Sequence, residues 1–105
     1  MRWYHFIAYF FAGVFLINII PHFVAGVSGH TFPSPFSNPP GKGPSSSTVN
    51  VLWGAFNLIV GYLLLWKVGT FDIRKWSHII PVFIGGLLMA LMLSRHFGEI
   101  YGGLI

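Results

Sequence analysis

The chain has 105 residues, of which 54% are hydrophobic and 8% charged, with a net charge of +4 and no cysteine. Soluble domains carry about 25% charged residues, and a short soluble domain exposes a large share of its surface, so this composition excludes a soluble globular domain. Without cysteine there are no disulfides and no thiolate chemistry. The few scattered basic residues indicate membrane topology and not nucleic-acid binding. We expect one domain, residues 1–105, in a lipid bilayer.

The first predicted membrane span covers residues 3–25, which include no charged residue. Crossing the hydrocarbon takes about 17–25 helical residues, and this segment is long enough. The alternative is a cleaved signal peptide with Arg2 as its basic region. A signal peptide has an apolar run of about 7–15 residues followed by a small-residue cleavage site. The run is longer here and no clear site follows it, so a true span is favoured.

Within this span, Asn18 and His22 lie one helical turn apart. Pro21 lacks the amide hydrogen that would bond the Ile17 carbonyl, so a bend and a spare acceptor are expected beside the two polar side chains. The predicted first helix therefore carries polar side chains near its C-terminal end.

The segment 26–47 holds five of the seven prolines of the chain. Proline cannot sustain a helix, and an unpaired backbone is too costly inside lipid, so this loop lies outside the hydrocarbon. A flexible linker is one interpretation. Phe32 and Phe36 favour another, because linkers seldom carry aromatic residues at this density. We expect an ordered loop folded over the end of the bundle, a candidate lid.

The second predicted span, residues 48–66, is uncharged and ends at Lys67. Two asparagines and two glycines share one stripe of this helix: Asn50, Gly54, Asn57 and Gly61. Small residues let helices approach closely, and an amide in hydrocarbon needs a partner across the contact. The stripe predicts helix packing and association between chains, as a homo-oligomer or within a larger membrane complex.

The third predicted span covers residues 77–94, between Lys75 and Arg95. The fold class is then an all-α membrane protein with three transmembrane helices. Cytoplasmic loops carry the excess of lysine and arginine, and the N-terminal side holds four such residues against two on the other: Arg2, Lys67, Arg74 and Lys75 against Lys42 and Arg95. This predicts the N-terminus in the cytoplasm, with the 26–47 loop and the C-terminus outside.

Three histidines, His22, His30 and His96, fall towards the external side. Imidazole is the commonest metal ligand, three nitrogens suffice for zinc, and paired histidines hold haem iron. A metal or haem site with Asn18 as a supporting partner is one hypothesis. The other is that these rings are amphipathic side chains at the membrane interface, since their spacing matches no known signature.

Residues 18–57 contain "PHFVAGVSG", "FPSPF" and "NVLWG". On these motifs the chain resembles a family of small bacterial integral membrane proteins that has no established activity. The resemblance implies a multi-pass protein of the bacterial inner membrane and supplies no catalytic residue.

No predicted span contains a carboxylate, which argues against proton-coupled transport and paired-carboxylate hydrolysis. We expect a non-enzymatic accessory subunit or small-ligand-binding module, whose polar pocket is lined by Asn18, His22, Asn50 and Asn57. The first alternative is the histidine-based metal or haem site, with a redox or enzymatic role. The second is a channel or carrier in an oligomer, lined by the polar stripe of the second helix.

Overall fold

The computed structural model describes residues 2–103 and is all-helical, with α1 at Trp3–Val27, α2 at Ser47–Trp66 and α3 at Trp76–Tyr101. All three helices are long and apolar enough to cross a membrane. Their number and type are those predicted from the sequence. By length and composition the chain is a multi-pass membrane protein.

The helix ends follow local chemistry. Ser46 caps α2, because its hydroxyl oxygen accepts the Val49 amide hydrogen at 3.1 Å, as expected for a serine at this position. Helix α3 continues past Ser94 to Tyr101 and stops at Gly102, whose φ of 79° is left-handed. Glycine adopts that conformation without a steric penalty and commonly ends helices.

Helix α1 is the central helix of the bundle. It packs against both α2 and α3, whereas α2 and α3 make no close backbone contact with each other in the described part of the chain. At one end, Tyr9 contacts the rings of Phe71 and His78. At the other, Phe32 contacts Phe97 and Tyr101. A gap thus remains between α2 and α3, with α1 as its floor.

The interior of the bundle is small and polar, and the exterior is apolar. The buried residues of α2 are Asn50, Gly54, Asn57, Gly61 and Leu65. Large apolar side chains face outward, with Leu52 64% and Phe83 67% exposed. A soluble protein of this size buries such side chains, but lipid tails solvate them equally well.

Glycines let the helices approach until backbone meets backbone. A Cβ at Gly85 would overlap the carbonyl oxygen of Phe10, and one at Gly13 would overlap the carbonyl oxygen of Val82. These two glycines allow the short distance between α1 and α3.

On the α2 side, Gly54 lies against Phe23 and Gly61 against Leu16. The stripe that predicts association between chains is therefore covered by α1 of the same chain. A stripe of small residues specifies a close approach but not which helix makes it, so the sequence pattern could not separate the two cases. An oligomeric state remains a prediction, and this stripe is not the surface for it.

We predict that Gly85→Ala destabilises the protein by about 1–3 kcal/mol, the usual cost of adding a methyl group to a tightly packed contact. The added Cβ would push α3 away from the Phe10 carbonyl. Thermal unfolding in detergent, followed by near-ultraviolet circular dichroism, measures the change. Leu88→Ala is the control, since Leu88 is 52% exposed on the same helix. Equal unfolding temperatures for the two variants would contradict the packing described here.

Candidate functional site

A cleft of about 440 Å³ occupies the gap between α2 and α3 at the end that carries the 28–46 loop. All three helices and the loop contribute to it. Asn18 and His22 come from α1 and Trp53 from α2, while α3 and the loop supply Met89, Leu93, His96, Phe97, Pro33, Ser34, Pro35, Pro40 and Gly41. The walls are largely apolar, and a few polar groups lie among them.

The 28–46 loop is folded back over this end of the bundle. The Phe32 amide donates to the Ser45 carbonyl at 3.1 Å, and the Ser45 amide donates to the Phe32 carbonyl at 3.0 Å. The Gly41 amide donates to the Ser34 carbonyl at 2.8 Å. The prolines leave few backbone donors, and these three are paired inside the loop, which forms the roof of the cleft.

A cluster of buried serines stabilises the roof. The hydroxyl oxygens of Ser34 and Ser45 lie 2.6 Å apart, and those of Ser37 and Ser45 lie 2.8 Å apart. The Ser34 amide also donates to the Ser37 hydroxyl at 2.8 Å. Sequence reasoning missed these serines, because loop residues without a period give no burial signal.

Asn50 connects α1, α2 and the loop through one amide. Its Nδ2 donates to the carbonyls of Phe32 at 2.9 Å and Ser46 at 3.1 Å. Its Oδ1 lies 2.8 Å from Nδ1 of His22. Because the carbonyls can only accept, they fix which end of the amide faces His22.

This orientation also fixes the tautomer of His22. Since Asn50 Oδ1 can only accept, His22 Nδ1 carries the hydrogen that it donates. In the neutral imidazole the lone pair is then on Nε2. His22 is 3% exposed and lines the cleft, so this site includes a side chain with one acceptor nitrogen, Nε2, that makes no hydrogen bond to the described residues.

A second amide pair lies one turn further into the bundle. Asn18 Nδ2 donates to Asn57 Oδ1 at 3.1 Å, and Asn57 Nδ2 donates to the Trp53 carbonyl at 2.7 Å. The structure therefore brings Asn18, His22, Asn50 and Asn57 together as two hydrogen-bonded pairs between α1 and α2. Gly54 and Gly61 lie on the same face of α2 and allow this approach.

Trp53 is a cleft residue that the sequence analysis did not single out. Its Nε1–H is buried and has no hydrogen-bond acceptor among residues 2–103. A buried donor without an acceptor costs about 1–3 kcal/mol. The indole and the His22 ring meet edge to face, with centroids 6.4 Å apart. The sequence does place Trp53 beside the polar stripe of α2, one residue before Gly54.

The three histidines proposed for a metal or haem site do not form one cluster. His22 and His96 line the cleft, but His30 lines a separate surface groove beside Tyr101. His96 Nε2 donates to the Gly41 carbonyl at 2.7 Å, which ties α3 to the roof. Within residues 2–103 no group of three histidine or carboxylate side chains is arranged to hold a metal ion. One nitrogen of His22 and one of His96 are already bonded to oxygens of the protein.

The opposite end of the bundle carries a smaller pocket of about 320 Å³ lined by His5, Thr70, Asp72, Lys75 and His78. The Asp72 amide donates to Nδ1 of His78 at 2.9 Å. This contact ties the 67–75 turn to α3, and the pocket is separate from the cleft.

Comparisons with known proteins find no matching family model, no matching curated protein and no matching solved structure. The resemblance to a family of small bacterial membrane proteins therefore remains a prediction from the quoted motifs.

We predict that Asn50→Leu destabilises the protein by about 1–3 kcal/mol, because His22 Nδ1–H would lose its acceptor and the Phe32 carbonyl would keep only the Ser45 amide as a donor. The loop should loosen as well. Thermal unfolding and hydrogen exchange of the Phe32 and Ser45 amides measure the two effects. Leu52→Ala is the control, because Leu52 is 64% exposed on the same helix. Unchanged exchange in Asn50→Leu would show that the loop does not depend on this amide.

Proposed function

We propose that this protein is a small-ligand-binding module of the membrane, and that its ligand occupies the cleft beneath the 28–46 loop. The observation that carries the proposal is one cleft of about 440 Å³ with largely apolar walls, among which the ring of His22 is fixed by Asn50 with its acceptor nitrogen Nε2 left over. Ligand pockets typically have volumes of about 300–1,000 Å³, apolar walls and a few oriented polar groups.

The lining indicates an uncharged ligand. No lysine, arginine, aspartate or glutamate is among the cleft residues described. A charged molecule in such surroundings would lose its hydration without gaining an opposite charge. A neutral molecule with an apolar body matches the walls, which include Leu93 and Phe97.

The cleft also favours ligand binding over the channel alternative. A pore lined by the stripe of α2 would need Asn50 and Asn57 to face water, but both are fully buried with side-chain partners on α1. Binding without chemistry is favoured as well, because the cleft contains no carboxylate to assist its two histidines.

We place the N-terminus in the cytoplasm and the cleft at the external face of a bacterial inner membrane. The support is the charge distribution: Arg2, Lys67, Arg74 and Lys75 belong to the end opposite the 28–46 loop. Positive charge near the ends of spans is retained on the cytoplasmic side. A homo-oligomer or a larger membrane complex would make the module an accessory subunit.

Cysteine labelling tests the orientation. The chain has no cysteine, so Ser28→Cys and Thr70→Cys each introduce a single thiol at an exposed position and leave the basic residues in place. With a membrane-impermeant maleimide we expect Ser28→Cys to react in intact cells and Thr70→Cys to react only after permeabilisation. The reverse pattern would contradict the proposed orientation.

Filling the cleft tests the function. We predict that Leu93→Trp removes a small molecule that co-purifies with the native protein, because the indole would occupy the cleft. Mass spectrometry of organic extracts of the detergent-purified proteins measures this. Leu91→Trp is the matched control, since Leu91 is 55% exposed on the same helix. Identical extracts from the native protein and both variants would contradict the proposed function.

A further inference from the structure

We propose that a groove between α1 and α3 binds one acyl chain of an anionic phospholipid, and that Lys75 binds the phosphate of its headgroup. The groove has a volume of about 390 Å³ and is separate from the cleft beneath the 28–46 loop. Its lining residues are Gly13, Leu16, Ile17, Ile79, Val82, Phe83, Gly86, Leu87 and Ala90. The inference therefore does not depend on the proposed ligand of the cleft.

The groove is apolar and opens towards lipid. Phe83 and Leu87 line it and are 67% and 48% exposed, so its walls reach the outer surface of the bundle. Gly13 and Gly86 line it as well and are buried. Because glycine has no side chain, a neighbouring chain can approach the helix backbone there. These surroundings suit a hydrocarbon chain.

The length of the groove matches one leaflet of a bilayer. Along α3 the groove extends from Ile79 to Ala90, which corresponds to about 16 Å of helix. Half of a hydrocarbon core of about 30 Å is about 15 Å. An acyl chain of one leaflet therefore fits this length, whereas a helix of a second copy would need a contact surface along the whole span.

One end of the groove lies at the depth of lipid headgroups. Trp3, Trp66 and Trp76 are 72%, 49% and 78% exposed at the end of the bundle opposite the 28–46 loop, and tryptophan is enriched at the membrane–water interface. Lys75 directly precedes Trp76, and its carbonyl accepts the Ile79 amide hydrogen at 3.0 Å. Its ammonium group is carried on a flexible four-carbon stem. Lys75 is exposed and lies one helical turn from the start of the groove, within reach of a phosphate there.

Charge favours an anionic lipid over a second copy of the chain. This end carries the basic residues Arg2, Lys67, Arg74 and Lys75 against one acidic residue, Asp72. The Asp72 carboxylate already accepts the Arg74 amide hydrogen at 3.0 Å. Copies inserted with the same orientation would bring these positive ends together, and like charges repel. Basic groups beside membrane helices instead attract anionic headgroups.

Native mass spectrometry of the protein released from detergent micelles tests the headgroup contact, because it counts bound lipids on each oligomeric state. The probes are dioleoyl phosphatidylglycerol and dioleoyl phosphatidylcholine, which have the same acyl chains and differ in net charge. We expect phosphatidylglycerol to bind about fivefold more tightly, the effect of one lysine near an anionic headgroup. Lys75→Gln should remove this preference. Lys67→Gln is the matched control, since it removes the same charge at the same end, from the C-cap of α2.

Filling the groove tests the position of the acyl chain. We expect Ala90→Trp to lower the affinity for both lipids by about tenfold, the effect of about two displaced CH₂ groups. Leu91→Trp is the control, because Leu91 is the next residue of α3 and is 55% exposed outside the groove. Thermal unfolding followed by circular dichroism establishes that all variants are folded.

Three results would overturn the inference. Equal affinities for the two lipids, or equal losses in Lys75→Gln and Lys67→Gln, would show a general attraction to the surface and no specific site. Undiminished lipid binding by Ala90→Trp would place the lipid outside the groove. A dimer that carries no tightly bound lipid and that Ala90→Trp separates would show that a second copy occupies the groove.

Discussion

An amide buried among membrane helices has no water to bond with, so protein groups have to supply its partners. In this chain the constraint falls first on Asn50, whose side chain is fully buried. Its Nδ2 holds the loop at Phe32 and the helix start at Ser46, and its Oδ1 holds His22. Asn50 thus takes part in holding the loop and in joining α1 to α2, and it sets the tautomer of His22.

The central position of α1 explains why a cleft exists at all. Two helices pack on α1 and do not pack closely on each other in the described residues. The 28–46 loop then covers the gap at one end, with the Ser34, Ser37 and Ser45 hydroxyls bonded among themselves. Apolar residues occupy the outside of the bundle. The polar side chains inside it can therefore form hydrogen bonds only with one another or with a molecule in the cleft. Trp53 Nε1–H is the donor that this arrangement leaves buried and unpaired within residues 2–103.

The sequence predicted the three helices because long uncharged apolar segments have few alternatives. It also marked the stripe from Asn50 to Gly61 as a contact surface. It could not say that α1 would fill that surface, because small residues are used equally within and between chains. Nor could it predict the extension of α3 to Tyr101: apolarity ends at Arg95, but the backbone stays helical until the left-handed Gly102. The role of Trp53 depends on the burial of one atom, which no periodicity encodes.

Different interactions hold α2 and α3 against α1. Side-chain hydrogen bonds join α1 to α2, whereas close backbone packing at glycines joins α1 to α3. Amide hydrogen bonds weaken steeply with misalignment, so Asn18–Asn57 and His22–Asn50 lock the axial register of α1 against α2. Glycines such as Gly85 instead set the distance between α3 and α1. Helix α3 is tethered near its ends, by His96 on Gly41 and by His78 on Asp72. Because His96 and Gly41 both line the cleft, moving α3 away from the loop to widen the cleft requires their hydrogen bond to break.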